Sequence, residues 1–392
     1  MTERKSFKMN KLLKTVIAGV SALTMCISAM PLSASAATQY KIGDVNGDGI
    51  VNSSDILALN NFLHGSVASK DSAMAERLDV NSDYIVDKND FDLLKKINLG
   101  LANTSDKSYS SLYTAFPKQE TRTYYTYNAS NGAIDDYYTL DPVNYISNSS
   151  VSTCGIIDGT DERKLEPGFE GVLKTSTGGT AFVVDAHTIL TAAHCLYHYD
   201  KSNNPSQSIS NVTLQFYNSN NVIFKEISSI KYHIPQNYVE DGNSNYDYAI
   251  ITVDEDLSSY INFNLGVVNN GMFSSSQYSK TSVYMTGFGN VGNDLDENGN
   301  RKHPGANLSL NGLKSTGKGI FNKYINNYMI KYTTDMLPGD SGGPVYTSKN
   351  KINTVVGINT YEYLAADGTN ITNGGTRITT DILHFVYNNS NL

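Results

Sequence analysis

Gly339-Asp340-Ser341-Gly342-Gly343-Pro344-Val345 is the stretch on which the reading of this chain turns. A serine held between glycines sits in a backbone turn that side-chain-bearing residues resist, and such a turn can aim two amide N–H groups into one hollow. A nucleophilic serine also needs a base to take its hydroxyl proton and a carboxylate to keep that base in one tautomer. Upstream, Thr191-Ala-Ala-His194-Cys195 follows the apolar pair Ile189-Leu190, and Tyr246-Asp247-Tyr-Ala-Ile-Ile251 puts an acid at the mouth of an apolar run. A lone histidine before cysteine is more often structural, and serine-bearing glycine turns are common. The order His, Asp, Ser is what carries the chemistry, because other hydrolase architectures present these groups in other orders.

Around these motifs the pattern is short β-type runs between Gly, Asn, Asp and Ser turns. The clearest are Thr180–Val184, Val212–Tyr217, Ala249–Val253, Ser282–Thr286 and Thr354–Ile358. This spacing predicts a mainly β unit. A helix is expected from Thr380 to Val386.

The three motifs closely resemble those of chymotrypsin-like serine peptidases. The resemblance covers residues 156–392 and implies two six-stranded β-barrels with the active site between them. It assigns His194, Asp247 and Ser341 as the catalytic triad and the amides of Gly339 and Ser341 as the oxyanion hole. It implies an endopeptidase acting on protein or peptide substrates through an acyl-enzyme, with no cofactor for catalysis. Ile156-Ile157-Asp158-Gly159-Thr160 resembles the mature amino terminus of trypsin-like zymogens, in which a freed α-ammonium group pairs with the acid before the nucleophile. Asp340 is available for that pairing with Ile156, although Gly155 stands where activation usually needs Arg or Lys.

For specificity, the family places its pocket base six residues before the nucleophile, at Asp335, which implies cleavage after Arg or Lys. Thr360, Tyr361, Glu362 and Gly375 are the expected remainder of the substrate pocket. The alternative comes from Gly357–Thr360 and Gly375–Thr379, which resemble bacterial glutamyl endopeptidases. Those enzymes read the substrate carboxylate with a histidine, and Asn359 stands in its place. A non-catalytic binding protein attached to a scaffold is the alternative from a different class.

An internal repeat precedes the peptidase-like segment. Asp44, Asn46, Asp48, Ile50, Asn52 and Asp55 recur 35 residues on as Asp79, Asn81, Asp83, Ile85, Asp87 and Asp90. Oxygen side chains at loop positions 1, 3, 5, 9 and 12, with a backbone carbonyl at position 7, suit a hard cation such as Ca2+. Each loop leads into an apolar stripe, Ile56, Leu59 and Phe62 or Phe91, Leu94 and Ile97, of helical spacing. Gly65 and Gly100 end the two helices. This pair resembles a type I dockerin over residues 41–101, a small all-α module with two calcium sites that binds a cohesin domain on a scaffolding protein. Tyr84 stands where the first loop has Gly49, which is expected to weaken the second site. Loop positions 10 and 11, which guide partner choice in dockerins, are Ser53-Ser54 and Lys88-Asn89, so two docking orientations should not be equivalent.

Residues 1–36 carry a basic start, an apolar run and Ala34-Ser35-Ala36, the pattern of a secretory signal. The expected product is exported, free of the membrane once the signal is removed, and attached to a multienzyme complex outside the cell. Met25 spoils a lipoprotein-type reading of Leu23–Cys26. Residues 102–155, rich in tyrosine, read as a linker and propeptide or as an arm over the next domain. After signal removal Cys154 and Cys195 can pair or remain free. A bridge across their 41 positions would stabilise the fold by roughly 4 kcal/mol. Asp294–Asn300 imitates half a calcium loop, but Gly305 at position 12 reads as a surface turn. A net charge of −8 excludes a general nucleic-acid binder.

Overall fold

The computed structural model describes residues 39–392 apart from 67–70, 118, 129–133, 141–154, 158–159, 167, 198, 200–211, 229, 294–297, 323–325, 365–369 and 390–392. The expected signal segment, Cys26, Cys154 and residues 294–297 lie outside the described residues. Among those described, no helix is long and apolar enough to cross a membrane.

The two repeats form equivalent loop–helix units, Ser53–Leu63 and Lys88–Asn98, joined through a helix Ser72–Leu78 that the sequence pattern had not announced. Each main helix starts in a reciprocal cap: Asn52 with Asp55, and Asp87 with Asp90. Gly65 and Gly100 both adopt positive φ, 66° and 71°, and donate to the carbonyls of Phe62 and Ile97. Leu59, Phe62 and Leu94 are fully buried between the helices.

Two large sheets follow, antiparallel except where the short Asn264–Leu265 pairs parallel with Ile352–Leu364 in the second. In the first, the strands run in the order Ile223–Ile227, Leu214–Tyr217, Val172–Thr175, Thr180–Asp185, Thr188–Thr191, Ala249–Val253, Ile230–Pro235, Arg122–Asn128, Ile134–Leu140. In the second, Met329–Tyr332, Asn370–Arg377, Ile352–Leu364, Pro344–Lys349, Ser282–Gly287 and Ser315–Ile320 lie side by side, with the short Lys164–Leu165 at the edge. Each anticipated strand is present within a residue or two, except that the last is a segment of the longer Ile352–Leu364. The closing helix spans Thr380–Asn389.

The segment 102–155 is more than a linker. Arg122–Asn128 pairs with Ile230–Pro235, and Ile134–Leu140 adds a further strand outside it. Arg122, Tyr124 and Thr126 alternate inward along the strand, and a register shift between Thr126 and Tyr127 buries Tyr127 as well. Tyr124 stacks on Phe385 with ring centroids 3.8 Å apart, and its hydroxyl lies 3.2 Å from that of Tyr248.

The docking module also packs on the second sheet. Ile85–Val86 pairs antiparallel with Val267–Val268, and Thr354 Oγ1 donates to Asp87 Oδ2 at 2.5 Å.

Candidate active site

His194 follows the strand Thr188–Thr191, and Asp247 precedes Ala249–Val253, the strand hydrogen-bonded to it with Ala249 opposite Thr191. Adjacent strands therefore bring base and acid together at one end of the first sheet. Asp247 grips His194 twice: Oδ1 accepts the His194 backbone N–H at 2.9 Å, and Oδ2 lies 2.7 Å from Nδ1. Burial opposes a charged imidazole here, but the Asp247 carboxylate outweighs it and holds His194 well above its ordinary pKa. The imidazole is 34% exposed, within reach of a substrate. Tyr246 and Tyr248, on either side of Asp247, are tied to the arm through Glu120 and Tyr124.

Ser341 comes from the second sheet, just before Pro344–Lys349. Its carbonyl accepts the Thr180 amide at 2.8 Å and the Cys195 thiol at 3.3 Å, so the turn is laced to the residue after His194. Gly339 and Gly342 have φ of 103° and 85°. A Cβ on Gly342 would fall 2.1 Å from the Thr180 carbonyl, and one on Gly339 would fall 2.7 Å from that of Phe288. Both positions therefore require glycine for conformation and for space. The amides of Asp340, Gly342 and Gly343 donate to Leu337, Asn359 and Asp340 carbonyls. Those of Gly339 and Ser341 have no acceptor among the described residues.

Cys195 is a buried free thiol, one of the two states open to it. Three other site expectations meet a different geometry. Asp335 does not present its carboxylate to a substrate pocket: Oδ1 accepts Ile157 N at 2.9 Å and Oδ2 accepts Glu162 N at 2.7 Å. Burial pushes its pKa up to about 6 even so. In the uncut chain Asp340 is paired with Arg163 rather than with Ile156. Its Oδ2 takes Arg163 Nη1 at 2.8 Å and Leu337 N at 2.7 Å. Burial raises the Asp340 pKa, and Arg163 pulls it back. The expected pocket residues are also internally engaged: Thr360 Oγ1 accepts Thr376 N at 3.1 Å, and the Tyr361 hydroxyl bonds to Ser244 O and Thr376 Oγ1. Gly375 pairs with Asn359 and with Ile330 across the sheet, and the Glu362 side chain lies outside the described residues. Asn359 is fully buried, bonded to Tyr332 Oη at 2.5 Å and to Asp340 O at 3.0 Å.

Three residues went unread in the sequence. Arg163 carried no motif. Asn373 clamps Gly155, accepting its N–H at 2.7 Å and returning a bond to its carbonyl. Thr180 Oγ1 donates to Gly339 O at 2.7 Å, buttressing the nucleophile turn; its strand was anticipated, but nothing distinguished this hydroxyl.

The calcium-type loops share their principal hydrogen bonds. Asn46 N donates to Asp55 Oδ1 and Gly49 N to Asp44 Oδ2; Asn81 N donates to Asp90 Oδ1 and Tyr84 N to Asp79 Oδ2. Tyr84 takes up the glycine-like φ of 68° and stacks on Tyr113. Among the described residues no trio of carboxylate, imidazole or thiolate groups makes a metal centre by itself. The loops also offer the side-chain oxygens of Asn46 and Asn81 and the carbonyls of Ile50 and Ile85, and such an all-oxygen set fits Ca2+. In the second loop, burial and the neighbouring Asp83 raise Asp79 to about 7, the sign of crowded negative charge. Lys349 answers part of it, with Nζ 2.6 Å from Asp83 Oδ2 and 3.3 Å from Asn81 Oδ1. Ser53 and Ser54 are exposed, whereas Asn89 is buried beneath Asn350.

The sequence model of the Trypsin family matches residues 156–383, and that of the dockerin type I domain matches residues 42–97. No curated protein matches. Among solved structures, one of a Glu endopeptidase in complex with MPD aligns with 60% of this chain and 100% of its own, at 17% identity and a TM-score of 0.43.

Proposed function

The chain belongs to the trypsin family, a chymotrypsin-like serine endopeptidase carrying a type I dockerin, and from that premise we propose that His194, Asp247 and Ser341 carry its catalysis. Ser341 Oγ attacks the scissile carbonyl while His194 Nε2 takes its proton. Asp247, bonded to Nδ1, keeps Nε2 free for that task and stabilises the imidazolium that forms. The N–H groups of Gly339 and Ser341 receive the oxyanion. His194 then protonates the leaving amine, and water releases the acyl group by the same steps.

The observation that carries this reading is the double bond-point of Asp247 on His194 opposite a turn whose two alternate amides are unspent. The test is Ser341→Ala: cleavage of an unfolded protein should vanish along with covalent labelling by an organophosphonate. Undiminished turnover by that variant would refute the assignment. A preference for Arg or Lys loses its basis with Asp335 committed to backbone amides, and Asn359 offers no free group to a substrate carboxylate.

The dockerin half binds calcium through Asp44, Asn46, Asp48, Ile50, Asn52 and Asp55 and through the equivalent set from Asp79 to Asp90. It attaches the peptidase to a cohesin-bearing scaffold outside the cell, after export directed by residues 1–36. Exposure of Ser53 and Ser54 favours the first repeat as the partner face. Asp44→Ala should abolish calcium-dependent capture of the chain by a cohesin; capture undisturbed by that change would exclude this role.

A further inference from the structure

The segment leading into the peptidase is locked in place in the continuous chain. Gly155 is clamped by Asn373, its carbonyl also accepts Met336 N at 3.3 Å, and Ile157 N is bound by Asp335. Gly155, Ile156 and Ile157 are all buried. A protease cannot reach a bond so enclosed unless the segment first opens. The residues upstream are structural too, since Arg122–Asn128 is a strand of the first sheet and Arg122 forms a buried ion pair with Asp381.

Asp340, the acid just before Ser341, already faces a cation in the uncut chain. Arg163 and Asp340 are fully buried, and the guanidinium divides its donors between two acids. Nε and Nη2 bind the two oxygens of Asp161 at 2.9 Å each, and Nη1 binds Asp340 Oδ2 at 2.8 Å. Asp161 is held in turn by the amides of Asn307 and Arg163 itself. The backbone carbonyl of Asp340 accepts Gly343 N and Asn359 Nδ2, both at 3.0 Å. The residue between the two unspent amides is thus fixed through its side chain and its main chain together.

We propose that Arg163 is the positioning residue of the nucleophile turn: from within the uncut chain it supplies the cation that fixes Asp340, and so aims the Gly339 and Ser341 amides. The active site then assembles with no cleavage before Ile156. Arginine suits this place because its planar fork meets two carboxylates at once, which an ammonium cannot. Every guanidinium nitrogen of Arg163 is bonded, while Asp340 Oδ1 is buried with no partner among the described residues.

The proposal rests on Ser341 being the nucleophile, and the experiment separates the two. Arg163→Met, Arg163→Lys and Arg163→Met/Asp340→Asn would be compared with the parent chain by steady-state kinetics, peptide boronate affinity, circular dichroism and intact mass. Loss of aimed oxyanion donors should lower kcat of Arg163→Met by about 10²-fold or more, with KM within about threefold and boronate affinity falling in parallel. Arg163→Lys should recover part of kcat. The double variant, which removes the unpaired buried charge, should fold and regain about tenfold over Arg163→Met while staying well below the parent. If Arg163→Met does not fold, the double variant alone carries the test. A folded variant lacking Arg163 with parental kcat and boronate affinity overturns the proposal. So does a parent chain whose activity appears only once it begins at Ile156. A parent chain with no activity in any form would instead refute the reading of Ser341 on which it stands.

Discussion

Two carboxylate clusters in this molecule face the same electrostatic problem and meet it differently. Beside the nucleophile, Asp161 and Asp340 enclose Arg163, with all three side chains fully buried. In the second calcium-type loop, Asp79, Asp83, Asp87 and Asp90 gather near one another, and Lys349, 46% exposed, bonds to Asp83 and Asn81. Burial and its acidic neighbours leave Asp90 well above the ordinary carboxylate range. The Asp161–Arg163–Asp340 cluster carries its own counter-charge, while Lys349 answers the second loop only in part; on the calcium proposal a cation from solution answers the rest. Catalysis and attachment should therefore respond to different ions.

The sharpest way to test the catalytic side is Asp247→Asn. It leaves the charge clusters alone but removes the carboxylate that orients His194, and kcat should fall by about 10⁴-fold. The acid limb of kcat/KM in the parent should lie above the ordinary imidazole pKa, because base catalysis needs neutral His194 and Asp247 raises its pKa. The comparison itself is tested by chelation. Removing calcium should cost cohesin binding about 10³-fold or more, since metal binding and folding of such loops are linked. Peptide hydrolysis should stay within about twofold, as no step of it uses the metal. Equal loss of both functions would erase the distinction drawn here.

A third effect concerns the arm that completes the peptidase half. His233 bridges Thr126 on Arg122–Asn128 and Thr252 on Ala249–Val253, at 3.0 Å on each ring nitrogen. Burial, with Lys231 nearby, holds its pKa down at about 4. A depressed histidine favours the fold fully above its unfolded pKa, and that stability is lost as pH falls toward the folded value. Between about pH 6.5 and 4 the parent should lose about 3 kcal/mol that a His233→Gln variant does not, read by denaturant titration. The smallest effect is at Lys349. Lys349→Met should tighten calcium at the weaker site by about tenfold in calorimetric titration of the whole chain, leaving the tighter site unmoved. Identical curves would mean that the lysine does not compete there.

The parts legible in the sequence are those where chemistry admits few residue types. His194, Asp247 and Ser341 announce themselves through their neighbours, and Gly339 and Gly342 through turns that no other residue fits. The repeat was legible because each loop must place oxygens at fixed steps. Arg163 was not, since a short acidic and basic stretch reads as solvated surface until the fold closes over it. Asp335 was misread because position along the chain does not say which way a carboxylate turns; here it turns toward Ile157 and Glu162. The arm strand Arg122–Asn128 hid behind polar residues between its tyrosines, so its pairing with Ile230–Pro235 depended on tertiary contacts.

The central claim is that the serine peptidase site is complete in the uncut chain. Titration of full-length protein with a peptidyl organophosphonate, followed by intact mass and peptide mapping, tests it most directly. One adduct per chain on Ser341, in molecules that still carry Arg122–Asn128, is the predicted result. Adducts confined to chains that begin at Ile156, or none on Ser341, would contradict it.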